Sequence, residues 1–184
     1  TAMNMSKTFK TTSFSGKIDL TDPGIPNLQS TTYYQGDKGD EVSDYSLNYQ
    51  VGTTTIKNTS VFVYGTTFLR AISAGTELAM TRSLSYKTVE GVAKAIDSAT
   101  DSFYDASGAI MDADKLQSET YYYGSIRGDE IAHYAYNMRL GTTSVRNVSV
   151  YYYDDKTADE TGVTTDTAMN MSKTFKTTSF SGKI

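Results

Sequence analysis

The residues of this chain that could act on another molecule are few, and most of them recur in pairs. Carboxylates gather as Asp37, Asp40 and Glu41, again as Asp129 and Glu130, and as Asp154-Asp155. Paired carboxylates are candidates for the acid–base work of a hydrolase. Several carboxylates on loop ends suit a hard cation, and calcium is the one cofactor these residues point to. Asp40-Glu41 and Asp129-Glu130 each follow a turn glycine, at equivalent positions of a duplicated segment. That duplication favours a structural or cation-binding role over catalysis.

Nothing else assembles a catalytic centre. The chain has no Cys and one His, His133. This excludes disulfides, thiol nucleophiles and thiolate or multi-His zinc sites. No nucleophile elbow, Ser-x-x-Lys pair, phosphate loop or dinucleotide fingerprint occurs. His133 stands where the first copy of the duplicated segment has Asp44, and it reads as a surface or hydrogen-bonded histidine. A non-enzymatic protein is expected. The formal charge of −4 argues against a nucleic-acid partner, which would require phosphate neutralisation. The longest apolar run, Val61–Tyr64, is far short of the roughly 20 residues of a membrane-spanning helix.

Tyrosine is abundant, with clusters at Tyr33-Tyr34, Tyr121–Tyr123 and Tyr151–Tyr153. Successive strand residues face opposite ways, so half of each cluster is available to a core and half to an interface or a sugar. Asn-x-Ser sequons occur at Asn4, Asn58, Asn147 and Asn170. They are candidate glycosylation sites and lean towards an extracellular or cell-surface protein.

These residues are positioned by repeats. Residues 28–64 match residues 116–153, with about half of the positions identical over the second part of that span. Val42 is exchanged for Ile131, Ile56 for Val145 and Lys57 for Arg146. Ala79-Met80 echoes Ala2-Met3. More tellingly, residues 1–18 recur without change as residues 167–184. The division is a first repeat over 1–78, a second over 79–166, and a final copy of the opening segment over 167–184.

Alternation of apolar and polar residues predicts β-strands. It runs through Met3/Met5/Phe9, Phe14–Leu20, Tyr45–Val51, Leu78–Tyr86 and Tyr134–Leu140. Gly-Thr-Thr connections follow two of these runs and lead into Ile56–Tyr64 and Val145–Tyr153, a hairpin signal. Helical spacing occurs once, over Val89–Phe103 in the second repeat. The expected fold is all-β: two homologous, small sandwich-like units with one short helix in the second.

A strand present at both ends has one natural slot and two claimants. Met3, Met5, Phe9, Phe14 and Ile18, and their counterparts Met169, Met171, Phe175, Phe180 and Ile184, are the side chains such a strand would insert. The expected function is a non-catalytic subunit or repeat unit of an extracellular fibre, pilus or adhesin stalk. Its partner is itself, linked head to tail by β-strand addition. On this reading, deleting either copy of the strand stops polymerisation. The alternative is a carbohydrate-binding β-sandwich module that uses exposed tyrosines.

Overall fold

The computed structural model of the chain describes residues 1–10, 27–87, 110 and 112–181. Ten strands follow in order: β1 (Met5–Phe9), β2 (Leu28–Gln35), β3 (Val42–Tyr49), β4 (Ile56–Tyr64), β5 (Met80–Lys87), β6 (Leu116–Tyr123), β7 (Ile131–Met138), β8 (Val145–Tyr153), β9 (Lys156–Thr157) and β10 (Met169–Phe175). A four-residue helix, α1 (Ala71–Ala74), follows β4, and a single 3-10 turn, Ala113–Lys115, leads into β6.

All ten strands belong to one antiparallel sheet in the order β1-β2-β3-β4-β5-β6-β7-β8-β10. The short β9 folds back on Tyr152 and Tyr153, beyond the stretch of β8 that β7 pairs. The all-β expectation therefore holds. The two sandwich-like units do not appear as such. At the boundary between the repeats, β4 pairs β5 from Asn58↔Lys87 to Tyr64↔Met80, as fully as strands pair within a repeat. The short helix lies in the tail of the first repeat, a position the periodicity does not mark. The helix expected at 89–103 and the strand expected at 14–20 lie outside the described residues.

The pattern of side chains explains the sheet. One face carries Val61, Val63, Leu84, Tyr86 and Leu116, which form a buried cluster with Phe68, Ile110 and Met138 packed against it. Val61, Val63, Leu84, Leu116, Val148 and Val150 are wholly buried. Burial of a side chain of this size contributes about 1.5–3 kcal/mol. Arg82 lies on this face between the rings of Phe68 and Tyr121, at 3.9 and 4.6 Å from their centroids, with Nη1 donating to Glu119 at 2.9 Å. The opposite face is a cross-strand ladder of small polar residues. Ser6, Thr32, Ser46, Ser60, Ser85, Ser118, Asn137 and Asn147 stand opposite one another in sequence across eight strands. These groups satisfy each other: Thr32 donates to Ser46, Asn48 to Asn58 and Ser60, and Asn137 to Asn147 and Ser149. Such pairs are the units from which sheets gain stability.

The turns repeat as faithfully as the strands. Gln50 N–H donates to Thr55 O and Arg139 N–H to Ser144 O, both at 2.9 Å, and each closes a loop with a left-handed glycine, Gly52 or Gly141. Asp154 and Asp155 both have positive φ, 51° and 64°, and form the two-residue turn between β8 and β9. A two-residue hairpin of the primed type requires that conformation, which Asp tolerates better than most residues.

Candidate functional site

The candidate site is the pair of sheet ends formed by β1 and β10, because these two strands carry the same sequence. Their surroundings can be compared with those of β5, the strand that begins the second repeat. On β4, β5 places Leu84 opposite Val61, Tyr86 opposite Thr59 and Met80 opposite Tyr64. On β8, β10 places Lys173 opposite Val150, Phe175 opposite Val148 and Met169 opposite Tyr153. By the repeat these are the same positions. Even the register shift falls at the same place, beside Tyr64 in one pairing and between Met169 and Met171 in the other. β10 thus sits on the second repeat as β5 sits on the first.

The other edge shows the same equivalence. β1 meets β2 with Met5 opposite Tyr33 and Phe9 opposite Leu28. β5 meets β6 with Arg82 opposite Tyr121 and Tyr86 opposite Leu116. The sheet is therefore periodic, with a four-strand period. Among the described residues, β5 has a neighbour on both edges, whereas β1 and β10 end the strand order with one each.

The duplicated carboxylates act at this site, in a way the spacing alone did not indicate. Glu41 accepts from Met3 N–H at 2.8 Å and from Gly39 N–H at 3.0 Å. Glu130 accepts from Met80 N–H at 2.6 Å and from Gly128 N–H at 2.8 Å. Each carboxylate pins its own turn with one oxygen and the entry of the neighbouring strand with the other. The bond to Met3, followed by others to backbone N–H groups, holds the Glu41 carboxyl below the usual carboxylate range. Asp40 lies 4.0 Å from Arg127, which donates to Thr76 O and Glu41 O and so ties the second repeat's turn to the first. Asp37 O accepts from Asp40 N–H within the turn. Among the described residues no three His, Asp or Glu side chains gather as metal ligands would.

The strand-insertion side chains are only partly covered. Met3 and Met169 are exposed, and Met5, Phe9, Met171 and Phe175 are half-buried. Phe180 folds back over the sheet, with its ring 4.7 Å from Tyr134 and 5.5 Å from His133, and its N–H donates to the Tyr136 hydroxyl. Phe14, Ile18 and Ile184 lie outside the described residues. Of the sequons, Asn4 and Asn170 are exposed at the two end strands, and Asn58 and Asn147 stand in the polar ladder, their side-chain oxygens accepting from Asn48 and Asn137.

One pair of residues was missed by sequence reasoning. Asp44 is fully buried and forms a two-pronged ion pair with Arg70, at 2.9 Å (Nε–Oδ1) and 2.5 Å (Nη2–Oδ2). The equivalent residues of the second repeat are His133 and Asp159, with Nε2 at 3.1 Å from Oδ1. The acidic member changes sides between the repeats, and the guanidinium is replaced by an imidazole. His133 Nε2 is buried and, despite the short separation, has no well-directed hydrogen bond. Burial lowers the His133 pKa, and Asp159 only partly opposes that. The signal lay in the offset of 89 residues, which relates both members of each pair.

Five of the described tyrosines pack on one another. Tyr33 stacks on Tyr45 and Tyr121 on Tyr134, each at 4.5 Å, and Tyr136 meets Tyr121 edge-on. Burial raises the Tyr134 hydroxyl to about 12 and pushes those of Tyr64 and Tyr121 up as well. Among the described residues no helix is long and apolar enough to cross a membrane. No protein-family model, curated protein or solved structure matches this chain.

Proposed function

We propose that the chain is a non-catalytic building block of an extracellular or cell-surface fibre, pilus or stalk, joined head to tail by β-strand addition. One observation carries the reading: β10, identical in sequence to β1, lies on β8 in the register that β5 has on β4. A second copy of the β1 sequence, seated on β8 as β5 is seated on β4, supplies a continuation point for the same sheet. Translation of one contact along an open series gives a filament rather than a closed ring.

The geometry reverses one expectation drawn from the sequence. In the full chain each end of the sheet is already closed by a copy of the same strand. Removing residues 1–18 bares the edge of β2, while the outer edge of β10 remains. Removing residues 167–184 bares β8, while the outer edge of β1 remains. Each deletion therefore creates a complementary pair of ends, and should promote assembly rather than stop it. Sedimentation velocity and electron microscopy across a concentration series test this. Filaments should appear at lower concentration for either deletion than for the full chain. Three strictly monomeric proteins with intact β-type circular dichroism would refute the reading.

The carbohydrate-binding alternative keeps one favourable residue, Tyr123, half-exposed beside a shallow depression lined by Ile126, Asp129 and Val163. Saturable binding on a glycan array that is lost in Tyr123→Ala would support it.

A further inference from the structure

We propose that the outer edge of β10 is the docking site for the β2–β3 hairpin of a second copy of the chain, whose Glu41 leaves its own Met3 and takes the Met169 N–H. The proposal rests on the head-to-tail reading and specifies which strand moves and which carboxylate closes the joint.

Two joints would continue the sheet. In one, the neighbour's β1 stays on its own sheet and expels β10 from β8. In the other, β10 stays and the neighbour's β1 is expelled. The structure favours the second. β10 is a seven-residue strand paired along β8, and the segment after it is anchored by Phe180 on Tyr134 and on the Tyr136 hydroxyl. β1 is a five-residue strand. Its flanking bonds are Met3 N–H to Glu41, Tyr34 N–H to Asn4 O and Lys10 N–H to Asn27 O, with no aromatic anchor among them like the one Phe180 gives the segment after β10. A strand fixed along one edge presents the other edge already extended, so the ordering cost of pairing is largely met beforehand.

The internal boundary shows that such a strand holds both neighbours at once. β5 lies between β4 and β6, with Glu130 on its Met80 N–H. Residues 167–175 are identical to residues 1–9, so every contact that β2 and Glu41 make with β1 is available from β10. The exchange swaps like for like in contacts. It is therefore slow, limited by the peeling of β1, and driven by concentration.

The chain has no cysteine, so engineered pairs report cleanly. In the proposed joint, Ser172 stands opposite Thr32 of the neighbour, as Ser6 does within one chain. Opposed antiparallel residues have Cα atoms about 4.5–5.5 Å apart, within disulfide reach. Within a single chain Thr32 and Ser172 lie seven strand positions apart. The full-length double variant Thr32→Cys/Ser172→Cys, concentrated under mild oxidation, should give a reducible ladder of dimers and higher species. Ser30→Cys/Thr174→Cys, the next pair in the same register, should do the same and guards against a folding defect in the first. Thr32→Cys/Lys173→Cys, one residue out of register, should not. A ladder from Ser6→Cys/Tyr151→Cys alone would overturn the inference and leave the head-to-tail reading standing, because it reports the neighbour's β1 on β8. No interchain disulfide from any pair, with no association by light scattering, would overturn both.

Discussion

Replacing Arg70 by alanine should be among the most damaging single changes in the first repeat. The Arg70 side chain is 6% exposed and that of Asp44 is 0% exposed, with two short bonds between them. Without the guanidinium, the Asp44 carboxylate stays buried without its counter-charge. Breaking a buried pair in this way costs about 3–5 kcal/mol. Arg70 also lies 5.8 Å from the centroid of the Tyr45 ring, a cation–π contact of about 0.5–1 kcal/mol. With a urea dependence of about 2 kcal/mol per molar, a loss of about 4 kcal/mol moves the unfolding midpoint down by about 2 M. Urea titration followed by circular dichroism measures this directly. The double variant Asp44→Leu/Arg70→Met removes both charges and should recover most of the loss, because two apolar side chains carry no desolvation cost there. If Arg70→Ala moved the midpoint by less than about 0.3 M, or the double variant were no better than the single, an uncompensated buried charge would not be the cause.

Other outcomes follow from the same structure. His133 has a lowered folded pKa, so the unfolded chain binds its proton first and stability falls as pH drops through the unfolded value, about 6.5. In His133→Gln the fall in melting temperature between pH 7.5 and 5.5 should flatten, and an unchanged slope would assign it to other groups. Gly124 has φ of 133°, and a Cβ there would meet Asp129 O at 2.8 Å. Gly124→Ala should therefore lower stability more than Gly141→Ala, where φ is 79° and nothing lies within 4 Å of the added carbon; equal thermal shifts would refute the steric argument.

Much of this protein was determined by its sequence alone. Strands β3, β5 and β7 follow from alternation, since successive side chains of a strand face opposite sides, and β4 and β8 follow from the hairpin signal before their β-branched runs. The loops between β3 and β4 and between β7 and β8 follow from Gly-Thr-Thr. The identity of β1 and β10 is visible without any structure. What the tertiary structure alone decided is how those strands join. A strand edge is backbone, with the same N–H and C=O groups in every residue, so the sequence does not mark which edge meets which. Two sandwiches and one continuous sheet share the same alternation, and only the pairing of β4 with β5 distinguishes them. For the same reason the sequence does not mark the partners of Glu41 and Glu130, which are backbone N–H groups 38 and 50 residues away. The replacement of Asp44–Arg70 by His133–Asp159 was present in the alignment of the repeats, but its meaning depends on contact across 26 residues of chain, which only the folded backbone creates.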